Sequence, residues 1–192
     1  MTKIILSICI FSFLISCGQS ESKTEKAEST DTLPAVPTEP YLVCNYTVNE
    51  EPYFVNEKGV EIIPVGKYVM CYSDTIRDYG MVMDSTGRIW AITQTDSVLF
   101  EVYNFDNGPD YVEEGLFRIV KDGLIGYANE KGEIIIEPQY QCAYPFEDGS
   151  AKVAFDCEST IEFEMTKWDS DHWFYIDHDG ASIKAGSLHQ IP

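Results

Sequence analysis

The chain is short of positive charge. Against 32 Asp and Glu it carries only 13 Lys and Arg in 192 residues, a formal net charge of −19. No basic stripe interrupts that excess, and an acidic surface repels phosphate backbones, so no nucleic acid partner is expected. Histidine is scarcer still, at three residues: His172, His178 and His189. There is no Gly-x-Ser-x-Gly elbow, no His-Glu-x-x-His, no Walker loop and no dinucleotide fingerprint. Carboxylates are too numerous for a glycosidase-type pair to stand out among them. The chain is therefore read as non-enzymatic, with no cofactor.

Helical periodicity is also missing: no stretch keeps apolar residues at i, i+3, i+4 and i+7 between caps. Aromatic residues make up 13% of the chain. Tyr, Val and Ile recur in short runs, which favours strands. Residues 41–192 offer room for one domain of common size with its own core. The expectation is an all-β domain.

Ahead of that domain stand two segments of different character. Residues 1–16 begin with Lys3 and run apolar from Ile4 to Ile15. That is too short to span a bilayer, which takes about 20 apolar residues, and it has the length of a signal-peptide core. The run closes on Leu14-Ile15-Ser16-Cys17-Gly18, which resembles the lipobox of bacterial lipoproteins. The resemblance implies cleavage before Cys17 and lipidation of its thiol, so that a membrane holds the chain through acyl chains. Gly18, where Asp would mark inner-membrane retention, implies the outer membrane, on its periplasmic or its cell-surface face. An ordinary secretory signal with an incidental Cys17 is the alternative. Residues 17–40 are polar and close on Pro34, Pro37 and Pro40, too poor in apolar surface to fold. They read as a semi-extended tether.

Six cysteines then sort by position. Cys9 lies in the signal and Cys17 at the lipobox. Cys44, Cys71, Cys142 and Cys157 remain, and an oxidising envelope permits two bridges. Cys142 and Cys157 flank the Glu147-Asp148-Gly149 turn, which makes a cross-strand bridge reasonable and leaves Cys44 with Cys71. Four reduced, partly buried thiols are the alternative. No pair has the spacing of a zinc site.

Internal repetition is the strongest signal in the domain. The same turn recurs at Asn56-Glu57-Lys58-Gly59, Asp84-Ser85-Thr86-Gly87, Asn129-Glu130-Lys131-Gly132 and Asp177-His178-Asp179-Gly180. Glu113-Glu114-Gly115-Leu116-Phe117-Arg118-Ile119-Val120 aligns with Glu147-Asp148-Gly149-Ser150-Ala151-Lys152-Val153-Ala154. Residues 122–153 form the clearest unit: a strand Gly126-Tyr127-Ala128, a hairpin turn, a returning strand Glu133-Ile134-Ile135-Ile136 that Pro138 is expected to end, and a second hairpin around Gly149. This unit resembles the WG repeat of bacterial proteins through Asp122-Gly123-Leu124-Ile125-Gly126-Tyr127, Gly132, Pro138, Tyr140, Phe146, Gly149, Ala151 and Val153. Trp173-Phe174-Tyr175-Ile176-Asp177 to Gly180 resembles a second opening, with Phe174 in place of Gly. Ile125 stands where the family has Trp. Residues 53–59 and 80–87 resemble degenerate copies. The resemblance implies an antiparallel β-repeat array, built as a curved sheet, an incomplete barrel or a propeller-like stack, with Tyr127, Tyr140, Phe146 and Trp173 in its core.

The repeat is interrupted between Asp156 and Asp171 by an insertion that contains Trp168, where the stretch from Trp168 to Gly180 begins. Asp169, Asp171, Asp177 and Asp179 with two histidines lack the register of an EF-hand loop, so no metal site is expected. Trp168, Asp171, Trp173 and Tyr175 join aromatic rings to carboxylate, the chemistry of a sugar-stacking face. Two readings follow. A protein-binding or structural module on the outer membrane should show a contiguous exposed aromatic patch or an open edge strand, for a partner in the envelope or outside the cell. A glycan binder should expose Trp168 in a concave surface.

Overall fold

The structure, a computed structural model, describes residues 40–162 and 165–183. The expected signal peptide, Cys17 and all of the tether but Pro40 lie outside the described residues, as does His189. The strands are β1 Leu42–Tyr46, β2 Pro52–Asn56, β3 Glu61–Ile63, β4 Met70–Cys71, β5 Thr75–Ile76, β6 Gly80–Met83 and β7 Ile89–Ile92. They continue with β8 Val98–Val102, β9 Asn104–Phe105, β10 Gly108–Pro109, β11 Leu116–Lys121, β12 Leu124–Asn129 and β13 Ile134–Tyr140. Last come β14 Cys142–Ala143, β15 Ala151–Ala154, β16 Glu158–Glu162, β17 Met165–Asp169, β18 Phe174–Ile176 and β19 Ser182–Ile183. The described residues contain no helix, and every strand pairing is antiparallel.

Turn chemistry explains the repetition. In the four glycine turns the first residue accepts backbone N–H groups from the second and fourth residues after it through its side-chain oxygen. Lys58 and Val60 donate to Asn56 Oδ1, Thr86 and Arg88 to Asp84 Oδ1, Lys131 and Glu133 to Asn129 Oδ1, and Asp179 and Ala181 to Asp177 Oδ1. The glycine that follows takes a left-handed φ of 74–82° (Gly59, Gly87, Gly132, Gly180), where a Cβ is disfavoured. Two further turns have the same hydrogen bonds but were hidden in the sequence. Thr47 and Thr93 supply the oxygen, and Glu50 and Asp96 take the left-handed position. Each unit is thus a meander: β1-β2-β3, β6-β7-β8, and β11-β12-β13, the last opening on the two-residue turn at Asp122 and Gly123, both at positive φ. In the last unit β15 pairs with β18 and β18 with β19, while the interruption forms its own hairpin, β16-β17.

The units assemble into sheets ordered β3-β2-β1-β5, β13-β12-β11-β8-β7-β6-β4 and β14-β15-β18-β19, with two small hairpins, β9-β10 and β16-β17. None of these sheets closes on itself, so the array is open. Three buried clusters follow one another along the chain. The first holds Phe54, Ile63 and Ile76; the second Ile89, Phe117 and Ile119; the third Tyr127, Ile136, Phe146 and Ile176. Each draws residues from more than one meander, as repeats that cannot bury a face alone require. Tyr127, Tyr140 and Phe146 are buried as expected, whereas Trp173 is only half-buried.

A further expectation fails at Pro138. Pro138 does not end the returning strand; β13 runs through it to Tyr140, with Tyr127 opposite Ile136 and Ile125 opposite Tyr140 across a register shift. At a bulge the ladder asks for no N–H, so proline is tolerated there. The bulge crosses directly over Gly126. A Cβ on Gly126 would stand 2.3 Å from the Ile136 carbonyl oxygen and 2.5 Å from the Pro138 nitrogen, which explains glycine at this position.

Candidate functional site

Beyond β8 the chain leaves the large sheet and forms the β9-β10 hairpin, turning at Asp106 and Asn107, both in the left-handed region. The hairpin returns to the sheet through Asp110, whose N–H donates to the Tyr103 carbonyl at 3.0 Å. Asp110 is clamped from the adjacent strand. Its Oδ2 accepts Arg118 Nε at 2.9 Å and the Arg118 backbone N–H at 2.8 Å, and its Oδ1 accepts Arg118 Nη2 at 2.5 Å. The guanidinium reaches on to the Ala143 carbonyl at 3.2 Å and lies 4.2 Å from the centre of the Tyr103 ring. Both partners are buried, and a buried pair holds only when its remaining polar atoms are satisfied in this way. Burial pushes the Tyr103 hydroxyl's pKa up; Arg118 draws it down and Asp110 adds to the rise.

This fixed hairpin forms one wall of a cleft of about 660 Å³. Phe105 and Tyr111 stand on it edge to face, with ring centres 5.8 Å apart. The opposite wall comes from the next repeat: Tyr144, Phe146, Lys152 and Tyr175. Tyr127, whose hydroxyl donates to the Tyr144 carbonyl at 2.6 Å, props this wall from the core, and burial raises the pKa of that hydroxyl. Phe105, Tyr111 and Tyr144 keep 45%, 61% and 40% of their surface exposed, three exposed rings lining one concave surface.

The residues singled out in the sequence separate here. Tyr175, in β18, lines the cleft. Trp168, in β17, is half-buried, edge-on to Tyr103 at 6.2 Å and to Tyr144 at 5.3 Å, and packs against the third core cluster. Trp173 leans on Tyr144 at 5.5 Å and is capped by the Lys152 ammonium at 4.6 Å. The two tryptophans therefore support the cleft from behind Tyr144, and neither lines it. Asp171 lies elsewhere, in a smaller acidic hollow of about 450 Å³ with Asp156, Glu158 and His172, where His172 Nδ1 meets Asp156 Oδ2 at 2.9 Å. No group of three metal-ligating side chains gathers among the described residues.

Phe105, Tyr111, Tyr144 and the Asp110–Arg118 pair escaped the sequence reading. Nothing in the spacing said that the hairpin would face Tyr144 of the following repeat.

Cys142 and Cys157 are joined as a disulfide, with Cα atoms 6.2 Å apart, and tie β14 to the chain just beyond β15. Cys44 and Cys71 are thiols here, not the bridge that elimination suggests. Both pack beside the first core cluster, and Cys71 Sγ donates to the Ser73 carbonyl at 2.9 Å. Burial, reinforced by the Cys44 thiol, pushes Cys71 up to about 12. A thiol so disinclined to ionise is a poor nucleophile for exchange.

Compared with known proteins, residues 125–156 match the family model described as WG containing repeat. That segment spans β12 to the end of β15 and includes Gly126, whose contact with the β13 bulge accounts for the glycine of the motif. No curated protein and no solved structure matches the chain.

Proposed function

We propose that the chain is a bacterial lipoprotein anchored in the outer membrane through Cys17, and that its β-repeat domain is a non-enzymatic module that binds a protein partner. The observation that carries the interaction reading is the aromatic cleft: Phe105 and Tyr111 exposed on a wall held by a buried ion pair, with Tyr144 exposed on the wall that faces them. Exposed rings are costly to leave in water and recur at the centres of protein interfaces. The charged groups deepest in the cleft, Asp110 and Arg118, are consumed by each other, which suits a scaffold better than acid–base chemistry.

Capture from envelope extract with the full-length chain tests the interaction reading. A specific partner retained by the wild type and lost with Tyr111→Ala supports it; identical recovery by both proteins overturns it. The anchor is tested separately, since Cys17→Ser is expected to move the chain from the membrane fraction to the soluble one.

A glycan ligand is the second reading. What favours it is that Tyr144 and Tyr175 line the same concave surface. What counts against it is the use of both tryptophans as packing, which leaves no broad indole face turned to the cleft.

A further inference from the structure

We infer that the cleft receives a basic segment of the partner protein, with an arginine or lysine side chain laid over Tyr111 and its charge held between Glu113 and Glu147. The inference rests on the interaction reading above and adds the chemistry of the partner. It comes from an inventory of the charges that line the cleft. Arg118 is engaged by Asp110 and by the Ala143 carbonyl, and its guanidinium lies 4.2 Å from the Tyr103 ring centre and 5.6 Å from that of Phe105, which leaves Tyr111 as the ring with no cation over it. The Lys152 ammonium sits over Trp173 at 4.6 Å and Tyr144 at 5.9 Å. The cleft's own cations therefore have their counter-charge or their ring. Glu113 and Glu147 have neither: among the described residues no hydrogen bond or ion pair reaches their carboxylates.

Their backbones, by contrast, are pinned. Glu113 exchanges both main-chain hydrogen bonds with Leu116, and Glu147 exchanges both with Ser150, across two-residue turns. The two turns are equivalent places in successive repeats, Glu-Glu-Gly-Leu and Glu-Asp-Gly-Ser. The turn geometry uses only main-chain atoms at these positions, so the fold does not explain a carboxylate at either. Repetition thus sets two free acids on one aromatic cleft.

That combination selects its ligand. A cation gains from the face of an aromatic ring, and a guanidinium can stack on it while its edge meets a carboxylate. An acidic segment would face two unneutralised carboxylates and a chain of net charge −19, which attracts cations and repels anions at a distance. The volume of about 660 Å³ accommodates side chains of an extended segment, not a folded domain.

The test uses the full-length chain in non-ionic detergent on an array of immobilised random heptapeptides, with immobilised glycans in parallel. Bound peptides are expected to be enriched about fivefold in Arg or Lys, with signal falling about tenfold in Tyr111→Ala, as for an aromatic hot spot. The double variant Glu113→Gln, Glu147→Gln is expected to erase the enrichment, while Glu57→Gln, on a distant exposed turn, preserves it. Thermal melts show that each variant is folded. Enrichment that survives the double variant overturns the inference. Peptides bound without basic enrichment yet lost in Tyr111→Ala leave the docking cleft standing and remove the basic segment. Glycans bound with no peptide bound remove both.

Discussion

Both carboxylate oxygens of Glu114 lie 3.1 Å from the Gly149 backbone nitrogen and accept its N–H, tying one repeat's turn to the equivalent turn of the next. Gly149 is in the left-handed region, as is Asp148 before it, so the N–H is presented outward from a tight turn. Glu114 also meets His178 Nε2 at 3.0 Å, and the His178 ring stacks on Phe146 at 4.6 Å. One side chain thus holds two separate turns of the next unit.

Removing that link should loosen the array without unfolding it. Glu114→Ala is expected to cost about 1–2 kcal/mol, the loss of a charge-assisted hydrogen bond at a partly exposed site. A lower urea midpoint with an unchanged slope is the expected result.

Two glycines of the repeat should respond very differently to alanine. Gly126→Ala drives a Cβ against the β13 backbone and is expected to cost about 3 kcal/mol, at the upper end of overpacking effects. Gly87→Ala meets open space and bears only its left-handed φ, about 1–2 kcal/mol. Equal shifts in melting temperature would contradict the close approach.

Breaking the pair under the cleft from one side should be worse than neutralising it. Arg118→Met leaves Asp110 buried and charged, with an expected loss of about 3–5 kcal/mol. Adding Asp110→Asn removes the charge and keeps an oxygen for the Arg118 backbone N–H, so the double variant should recover part of that loss. Equilibrium unfolding of the single and double variants measures the difference.

Asp84 links stability to acid. Burial tends to raise its pKa, but hydrogen bonds from Thr86 and Trp90 side chains and from the Thr86 and Arg88 N–H groups outweigh it and hold the carboxyl at about 2, against an ordinary 3.8. A depressed folded pKa stabilises above the unfolded value and loses that contribution as the proton is taken up. The stability gap between wild type and Asp84→Asn should therefore be full above about pH 4 and shrink as pH falls toward 2. The amide also leaves Trp90 Nε1–H, now bonded to Oδ2 at 2.8 Å, without its anionic acceptor. A gap that is constant across this range would refute the assignment.

Much of the array was readable because turns are local. An Asn or Asp followed three residues later by Gly reports a hairpin through hydrogen bonds that close within five residues. Thr47 and Thr93 make the same turn with a hydroxyl, and Glu50 and Asp96 accept the left-handed position without glycine, so those two turns carried no visible mark. Pro138 misled for a related reason: a proline reads as a stop until a bulge removes the need for its N–H.

The strand class, the repeated turns and the unit from Asp122 to Val153 are legible from residue order alone, since each depends on conformational preferences of neighbouring residues. Tertiary structure decided the cleft. Whether Trp168 faces water or Tyr144, and whether Phe105 meets Tyr175 across a hollow, depends on how one repeat packs on the next. That packing is held by contacts between one repeat and the next, Arg118 on the Ala143 carbonyl, Tyr127 on the Tyr144 carbonyl and Glu114 on the Gly149 N–H, which local preference does not encode.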